Sequence, residues 1–232
     1  MTSRGGERLG ARLHSSWGEL LKPAARRGLF VNGPNRGAET TYVRTDRWLA
    51  DAGAAECPDP SVARAEWLRR YLRAYGPAST EDYARWLGVR QVGPIKRALA
   101  DLGGELTEVH VAGRRLHALT ADVDMLRGGD ALVPGSVCLL PAFDPYVLGH
   151  ADRDHLIAEE HRPLVYRTAG WISPTVLSGG RIVGTWEHRV EREAVTVTVT
   201  PFGRLTPAER SGVEAAATRL AALFDRALAL YT

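Results

Sequence analysis

The sequence predicts an α+β protein assembled from helix-turn-helix modules, each closed by a β-hairpin. Three observations carry that expectation. Between residues 61 and 120, three short stretches with helical apolar spacing are punctuated by Gly76-Pro77, Gly88 and Gly103, and two strand-like runs follow. Upstream, a helix–strand–turn–strand order reads like the end of such a module without its beginning. Downstream, the alternating run "AVTVTVTPF" and a hairpin with a Gly-Gly tip precede a long amphipathic stretch.

The middle module justifies itself element by element. Ala65, Leu68, Leu72 and Tyr75 recur at helical spacing, and Gly76-Pro77 stops that helix. "ASTEDYARWLG" begins with Ser79 or Thr80 as cap and an acidic first turn, presents Tyr83, Ala84 and Leu87 on one face, and ends at Gly88. Pro94 sits where a first helical turn tolerates proline, and "IKRALADLG" closes a third helix at Gly103. "ELTEVHV" and "RRLHALT", joined by Ala112-Gly113, supply a two-stranded wing. Residues 61–125 thus read as a winged helix-turn-helix. In that geometry Arg90, Gln91, Lys96 and Arg97 lie on the outer side of the third helix, and Arg114 and Arg115 lie at the wing tip within reach of phosphates. Solvated arginines on a structural module are the plain alternative.

Residues 1–57 carry the helix and wing of a first module. About sixteen residues precede Trp17, too few for the two missing helices, so an N-terminally shortened module is expected. Residues 132–232 form a third, winged-helix-like unit. "SVCLLPAF" reads as a strand and "HLIAEEHRPLVYRTAG" as a helix. Two further strands meet at Ser178-Gly179-Gly180-Arg181. Thr206 caps and Pro207 opens a helix running to Tyr231, with Val213, Ala217, Leu220, Leu223, Phe224, Ala227 and Leu228 on its core face.

Composition narrows the function. The chain has 232 residues, 44% hydrophobic and 25% charged, as in ordinary globular proteins. No apolar run approaches the roughly 18 residues of a membrane span, and the N-terminus lacks a secretory core, so a cytoplasmic location is expected. Cys57 and Cys138 stand alone, which fits a reducing compartment. The basic side chains are 28 arginines and two lysines. The balance is +2 over residues 1–60, +4 over 61–120 and −3 over 121–232, so the middle third suits an anionic partner. Phosphate-loop, dinucleotide-binding and GxSxG signatures are missing.

"LLPAFDPYVLGHADRDHLIAEEH", residues 139–161, is dense in acids and histidines. It matches neither HExxH nor HxxEH, and His150 and His155 are five apart, which does not place them on one helical face, so no metal and no cofactor are expected. Asp152 or Asp154 would cap the helix predicted after them. Asp144 is the candidate acid of the stretch, its plain alternative being a turn residue before Pro145, with Tyr146 in the core. At the hairpin tip, Gly179 and Gly180, flanked by Ser178 and Arg181, permit close backbone approach to a ligand, the plain alternative being a tight turn with a solvated arginine. The six tryptophans, Trp17, Trp48, Trp67, Trp86, Trp171 and Trp186, are expected in the core rather than as stacking surfaces.

Six ordered blocks, "WGELLKPAARRGLF", "TYVRTDRWL", "YGPASTEDYARWLG", "LLPAFDPYVLG", "DRDHL" and "GWISPTVLSGGRIVGTW", resemble the tandem winged-helix family of bacterial DNA-binding proteins that includes the AlkZ and YcaQ DNA glycosylases. The resemblance runs from about Trp17 to the end. It implies three winged helices around a cleft for duplex DNA, alkylated or crosslinked, with a hairpin of the third module directed at the minor groove. It also implies metal-independent hydrolysis of the N-glycosylic bond; a monomer, associated with the nucleoid when bound to DNA, is expected. The family's Gln-x-Gln or Gln-x-Asp signature is absent, since the single glutamine, Gln91, is followed by Val92 and Gly93. Two readings stay open: a DNA glycosylase shortened at its N-terminus, and a non-catalytic DNA-binding regulator or damage-recognition accessory.

Overall fold

The computed structural model describes residues 21–37, 39–50, 58–128 and 136–232. The chain divides into two compact units, Met1–Pro58 and Asp59–Thr232. In the first, a short helix α1 (Lys22–Arg26) leads to strands β1 (Phe30–Asn32) and β2 (Tyr42–Arg44), antiparallel with Val31 opposite Val43, and to α2 (Thr45–Trp48). The predicted helix start at Trp17, and Cys57, lie outside the described residues.

The second unit begins with three helices, α3 (Pro60–Tyr75), α4 (Thr80–Leu87) and α5 (Val92–Leu102). Asp59 caps α3 by accepting the Ser61 amide, and α4 opens on a reciprocal box between Ser79 and Asp82 before ending at left-handed Gly88. Leu68, Tyr71 and Leu72 of α3, Tyr83 of α4, and Ile95, Ala98 and Leu102 of α5 bury together. Strands β3 (Leu106–Val111) and β4 (Arg114–Leu119) then form an antiparallel hairpin. Its turn residues Ala112 and Gly113 both have positive φ, the twist that a tight two-residue hairpin requires. Leu119 closes the helical core from the strand side, and a short helix α6 (Val123–Gly128) follows.

The remainder is sheet-built. Five strands, β5 (Val137–Leu140), β6 (Thr175–Ser178), β7 (Arg181–Val190), β8 (Ala194–Pro201) and β9 (Ala227–Tyr231), lie side by side in chain order. All neighbours are antiparallel except β8 and β9, which run parallel because α9 (Pro207–Leu223) crosses between them. The Thr-Val alternation of β8 turns Val195, Val197 and Val199 inward against Val213, Ala217 and Ala221 of α9. Trp186 joins that core, and its indole N–H donates to the Leu140 carbonyl at 2.8 Å. A separate cluster of Val147, Leu156, Ile157, Val165, Ile172 and Ile182 anchors the connection between β5 and β6.

Three sequence expectations are corrected. The stretch "HLIAEEHRPLVYRTAG" is not one helix. It holds two single 3₁₀ turns and the short α8 (Arg162–Val165), because Ala158 is extended and the chain is tied to distant segments, Ser173 donating to the Val165 carbonyl at 2.9 Å. Asp152 accordingly caps no helix there; it accepts the Asp154 amide at 2.9 Å in a local turn. The C-terminal helix stops at Leu223, which is 81% exposed, and Ala227 and Leu228 belong to β9. Nor are the tryptophans uniformly core. Trp48, Trp67, Trp86 and Trp171 are exposed and Trp186 is buried, while Trp17 lies outside the described residues.

Candidate nucleic-acid interface

The buried stripe of α5, Ile95, Ala98, Leu99 and Leu102, forces Lys96 and Arg97 to the outside. Arg90 and Gln91 precede the helix and are exposed as well. Gln91 stands at the cap position, yet its side chain makes no capping bond. A contrast with α3 gives this surface meaning. Three arginines of α3 are ion-paired: Arg64 with Asp101 at 2.7 Å, Arg69 with Glu105 at 2.7 Å, and Arg70 with Glu66 at 2.7 Å within the helix. Among the described residues, no carboxylate pairs with Arg90, Lys96 or Arg97. Exposed cations without counter-charges leave α5 with a surface open to an anionic partner.

The β3–β4 and β6–β7 hairpins meet elsewhere. A cleft of about 580 Å³ is lined by Val111, Ala112 and Arg114 of the β3–β4 hairpin, by Tyr75 at the end of α3, and by Tyr146, His150, Asp152, His155 and Arg181. Arg114 is 2.6 Å from Asp152, and Arg115 stands 3.9 Å from Glu108 on its own hairpin. The β6–β7 tip is a tight turn with φ of 53° at Gly179 and 80° at Gly180. The Gly180 carbonyl accepts the Tyr146 hydroxyl at 3.4 Å, and exposed Arg181 donates to the His155 carbonyl at 3.4 Å. Ser178 ends β6, half-buried. So Arg114 and Arg181 share one cleft, whereas Arg90, Gln91, Lys96 and Arg97 do not line it.

Residues 144–155 are the seam on which that cleft is built. Asp144 caps α7 (Pro145–Leu148) by accepting the Tyr146 amide at 2.8 Å, so its carboxylate serves the turn. Gly149 packs so closely on Tyr75 that a Cβ there would lie 2.6 Å from the ring, and its carbonyl accepts the Tyr71 hydroxyl at 2.8 Å. His150 Nε2 is 2.8 Å from the Tyr75 carbonyl, and its ring meets that of His155 edge-on with centroids 4.7 Å apart. Desolvation and the neighbouring His150 lower the His155 pKa. Asp82, of the α4 capping box, is 2% exposed and also accepts the amides of Ala151 at 2.7 Å and Asp152 at 3.3 Å. Burial pushes its carboxyl up, but the hydrogen bonds from Ser79, Ala151 and Asp152 outweigh burial, so its pKa is lowered. Sequence reading missed Asp82, although the Ser79-x-x-Asp82 spacing was visible; its long-range partners were not. Among the described residues, no three His, Cys, Asp or Glu side chains are grouped to hold a metal ion.

The basic outer face of α5 and the glycine tip of the sheet belong to a chain of DNA-glycosylase lineage. The profile of the family described as DNA glycosylase AlkZ-like matches residues 4–223, and the chain belongs to that family. It is 42% identical over 196 residues to the interstrand DNA cross-link repair glycosylase of Streptomyces sahachiroi, a match covering 82% of this chain and 50% of that protein. The solved structure of the Streptomyces sahachiroi DNA glycosylase AlkZ superposes with a TM-score of 0.76 at 35% identity, over 98% of this chain and 61% of the other. The chain thus spans about half the length of the curated relative it matches.

Proposed function

We propose that the chain binds duplex DNA, alkylated or crosslinked, through tandem winged-helix modules, and that these 232 residues hold DNA without releasing a base. In this reading residues 1–57 are the helix-and-wing end of a first module, 61–125 a second, and 132–232 a third whose hairpin tip at Ser178–Arg181 approaches the minor groove. The protein works as a cytoplasmic monomer on the nucleoid. The observation that carries the reading is the unpaired basic surface of Arg90, Lys96 and Arg97 beside an α3 whose Arg64, Arg69 and Arg70 are neutralised. Two features favour binding without chemistry. No Gln-x-Gln or Gln-x-Asp motif is present, and the candidate acid Asp144 is committed to its helix cap.

The test is fluorescence anisotropy with a labelled duplex across about 50–200 mM salt, beside a base-release assay on an alkylated duplex. Duplex affinity should fall steeply with salt. The double variant Lys96→Gln/Arg97→Gln should lower the slope by about two, one for each cation withdrawn from a phosphate. Arg70→Gln, which removes a paired arginine, should leave the slope unchanged. No duplex binding at low salt sinks the interface, and base release above the no-protein control sinks the non-catalytic half.

A further inference from the structure

On the α4 side of the α7 loop lies a second concavity, a slot of about 380 Å³ lined by Arg85, Trp86, Phe143, Pro145, Leu148 and Arg153. Its size falls within the roughly 300–1,000 Å³ typical of small-ligand sites. It shares no lining residue with the cleft between the β3–β4 and β6–β7 hairpins.

The charge of this slot is unbalanced. Arg153 is half-buried, its Nε is sealed from solvent with no hydrogen-bond partner, and its guanidinium lies 3.4 Å from the centre of the Tyr166 ring. A guanidinium does not shed its proton to escape burial, so its charge stays in place. Stacking on Tyr166 offsets part of the lost hydration but neutralises nothing. The acids on either side of it in sequence are spoken for, Asp152 by Arg114 and Asp154 by Arg162. Among the described residues, neither Arg153 nor Arg85 has a carboxylate partner. Burial, with Arg85 and Arg162 close by, also pulls the Arg153 pKa down. A half-buried cation beside a second one calls for an anion.

The rest of the slot is flat and apolar. Trp86 stays 39% exposed although it packs with Trp67, Tyr71, Tyr75 and Tyr83, the Tyr83 ring lying 6.1 Å away and 17° from parallel. Phe143 meets Trp171 edge-on at 5.0 Å and holds φ at 59°, a backbone state that a bulky side chain rarely adopts. Aromatic side chains beside two guanidiniums without counter-charges fit a phosphate ester carrying a planar ring. Arg85 also borders the groove containing Arg90 and Gln91, which connects the slot to the proposed DNA surface.

We infer that this slot binds a single nucleotide unit, with its phosphate between Arg85 and Arg153 and its base against Trp86 and the Phe143–Pro145 wall. The inference goes beyond duplex binding and does not depend on it, since the slot is complete within α4 and the α7 loop. Isothermal titration of the full chain compares dTMP, thymidine, inorganic phosphate and an oligothymidine tetramer lacking a terminal phosphate. dTMP should bind at least about tenfold tighter than thymidine or phosphate alone, and Arg85→Gln and Arg153→Gln should each weaken it about tenfold, the worth of one charge-assisted hydrogen bond. Arg85 is exposed, so its variant reads binding even if Arg153→Gln disturbs the Tyr166 stack. Tetramer binding that matches dTMP assigns the ligand to a nucleic-acid strand, and dTMP binding alone assigns a free nucleotide; either keeps the slot. Inorganic phosphate binding as tightly as dTMP, or Arg85→Gln leaving dTMP affinity unchanged, overturns the inference. Loss of duplex binding with dTMP affinity intact would sink only the duplex reading.

Discussion

Replacing Asp82 by alanine tests how much one carboxylate contributes to the seam between the sheet-built part and the helical part of the second unit. Two of its bonds are local: the Ser79 amide and hydroxyl donate to Oδ2 at 2.8 and 2.7 Å. Two cross the seam, from the Ala151 and Asp152 amides to Oδ1 at 2.7 and 3.3 Å. Loss of a helix cap costs about 1 kcal/mol. Each hydrogen bond to a charged acceptor adds roughly 1.5–3 kcal/mol, the longer one at the low end. Asp82→Ala should therefore cost about 4–5.5 kcal/mol, or roughly 8–22 °C in Tm for a unit of this size. Ser79→Ala removes part of the cap alone and should cost about 1 kcal/mol, or roughly 2–4 °C. Thermal melts followed by near-ultraviolet circular dichroism read both variants, and Asp82→Ala should broaden the transition as the two parts uncouple. The pH dependence follows from the lowered carboxyl pKa. Its stabilisation is complete above the unfolded value of about 3.9 and is lost as pH falls through the folded one, so the variant gap should close in acid. If Asp82→Ala and Ser79→Ala melt together at neutral pH, the bonds to Ala151 and Asp152 contribute nothing and the seam argument fails.

Gly149→Ala should destabilise by about 1–3 kcal/mol, because the added Cβ would lie 2.6 Å from the Tyr75 ring and the seam must shift to admit it; an unchanged melting temperature would mean the contact is slack. His155, whose pKa is lowered by desolvation and by His150, binds its proton more weakly in the folded state than in the unfolded one. Its contribution is thus intact above the unfolded value of about 6.5 and lost as pH falls through the folded value, so wild type should lose more stability than His155→Gln between about pH 7.5 and 5, and parallel losses in denaturant titrations would refute this.

What the sequence disclosed, and what it hid, divides along the range of the interactions. The ends of α4, the start of α9 and the Gly179-Gly180 turn are set by neighbours three or four residues away, and all three were legible from capping and turn chemistry. β9 was not, because "ALALY" has the local preferences of a helix and becomes a strand by pairing Val195 with Leu228 and Val197 with Leu230. The 155–170 segment misled for the same reason: its apolar residues Leu156, Ile157 and Val165 serve a cluster completed by Ile172 and Ile182, not a helix face. The acid- and histidine-rich stretch at 139–161 looked like a reaction centre because its charges are dense in sequence. In space those charges disperse to separate tasks, Asp144 to a cap, Asp152 to Arg114, Asp154 to Arg162 and His150 to the Tyr75 carbonyl. The arginine of that stretch left without an opposite charge is Arg153, and no spacing rule singles out an arginine whose significance is the absence of a carboxylate. Density of charge along a chain is therefore a poor guide to chemistry, whereas a half-buried charge with no counter-charge favours a ligand of opposite sign.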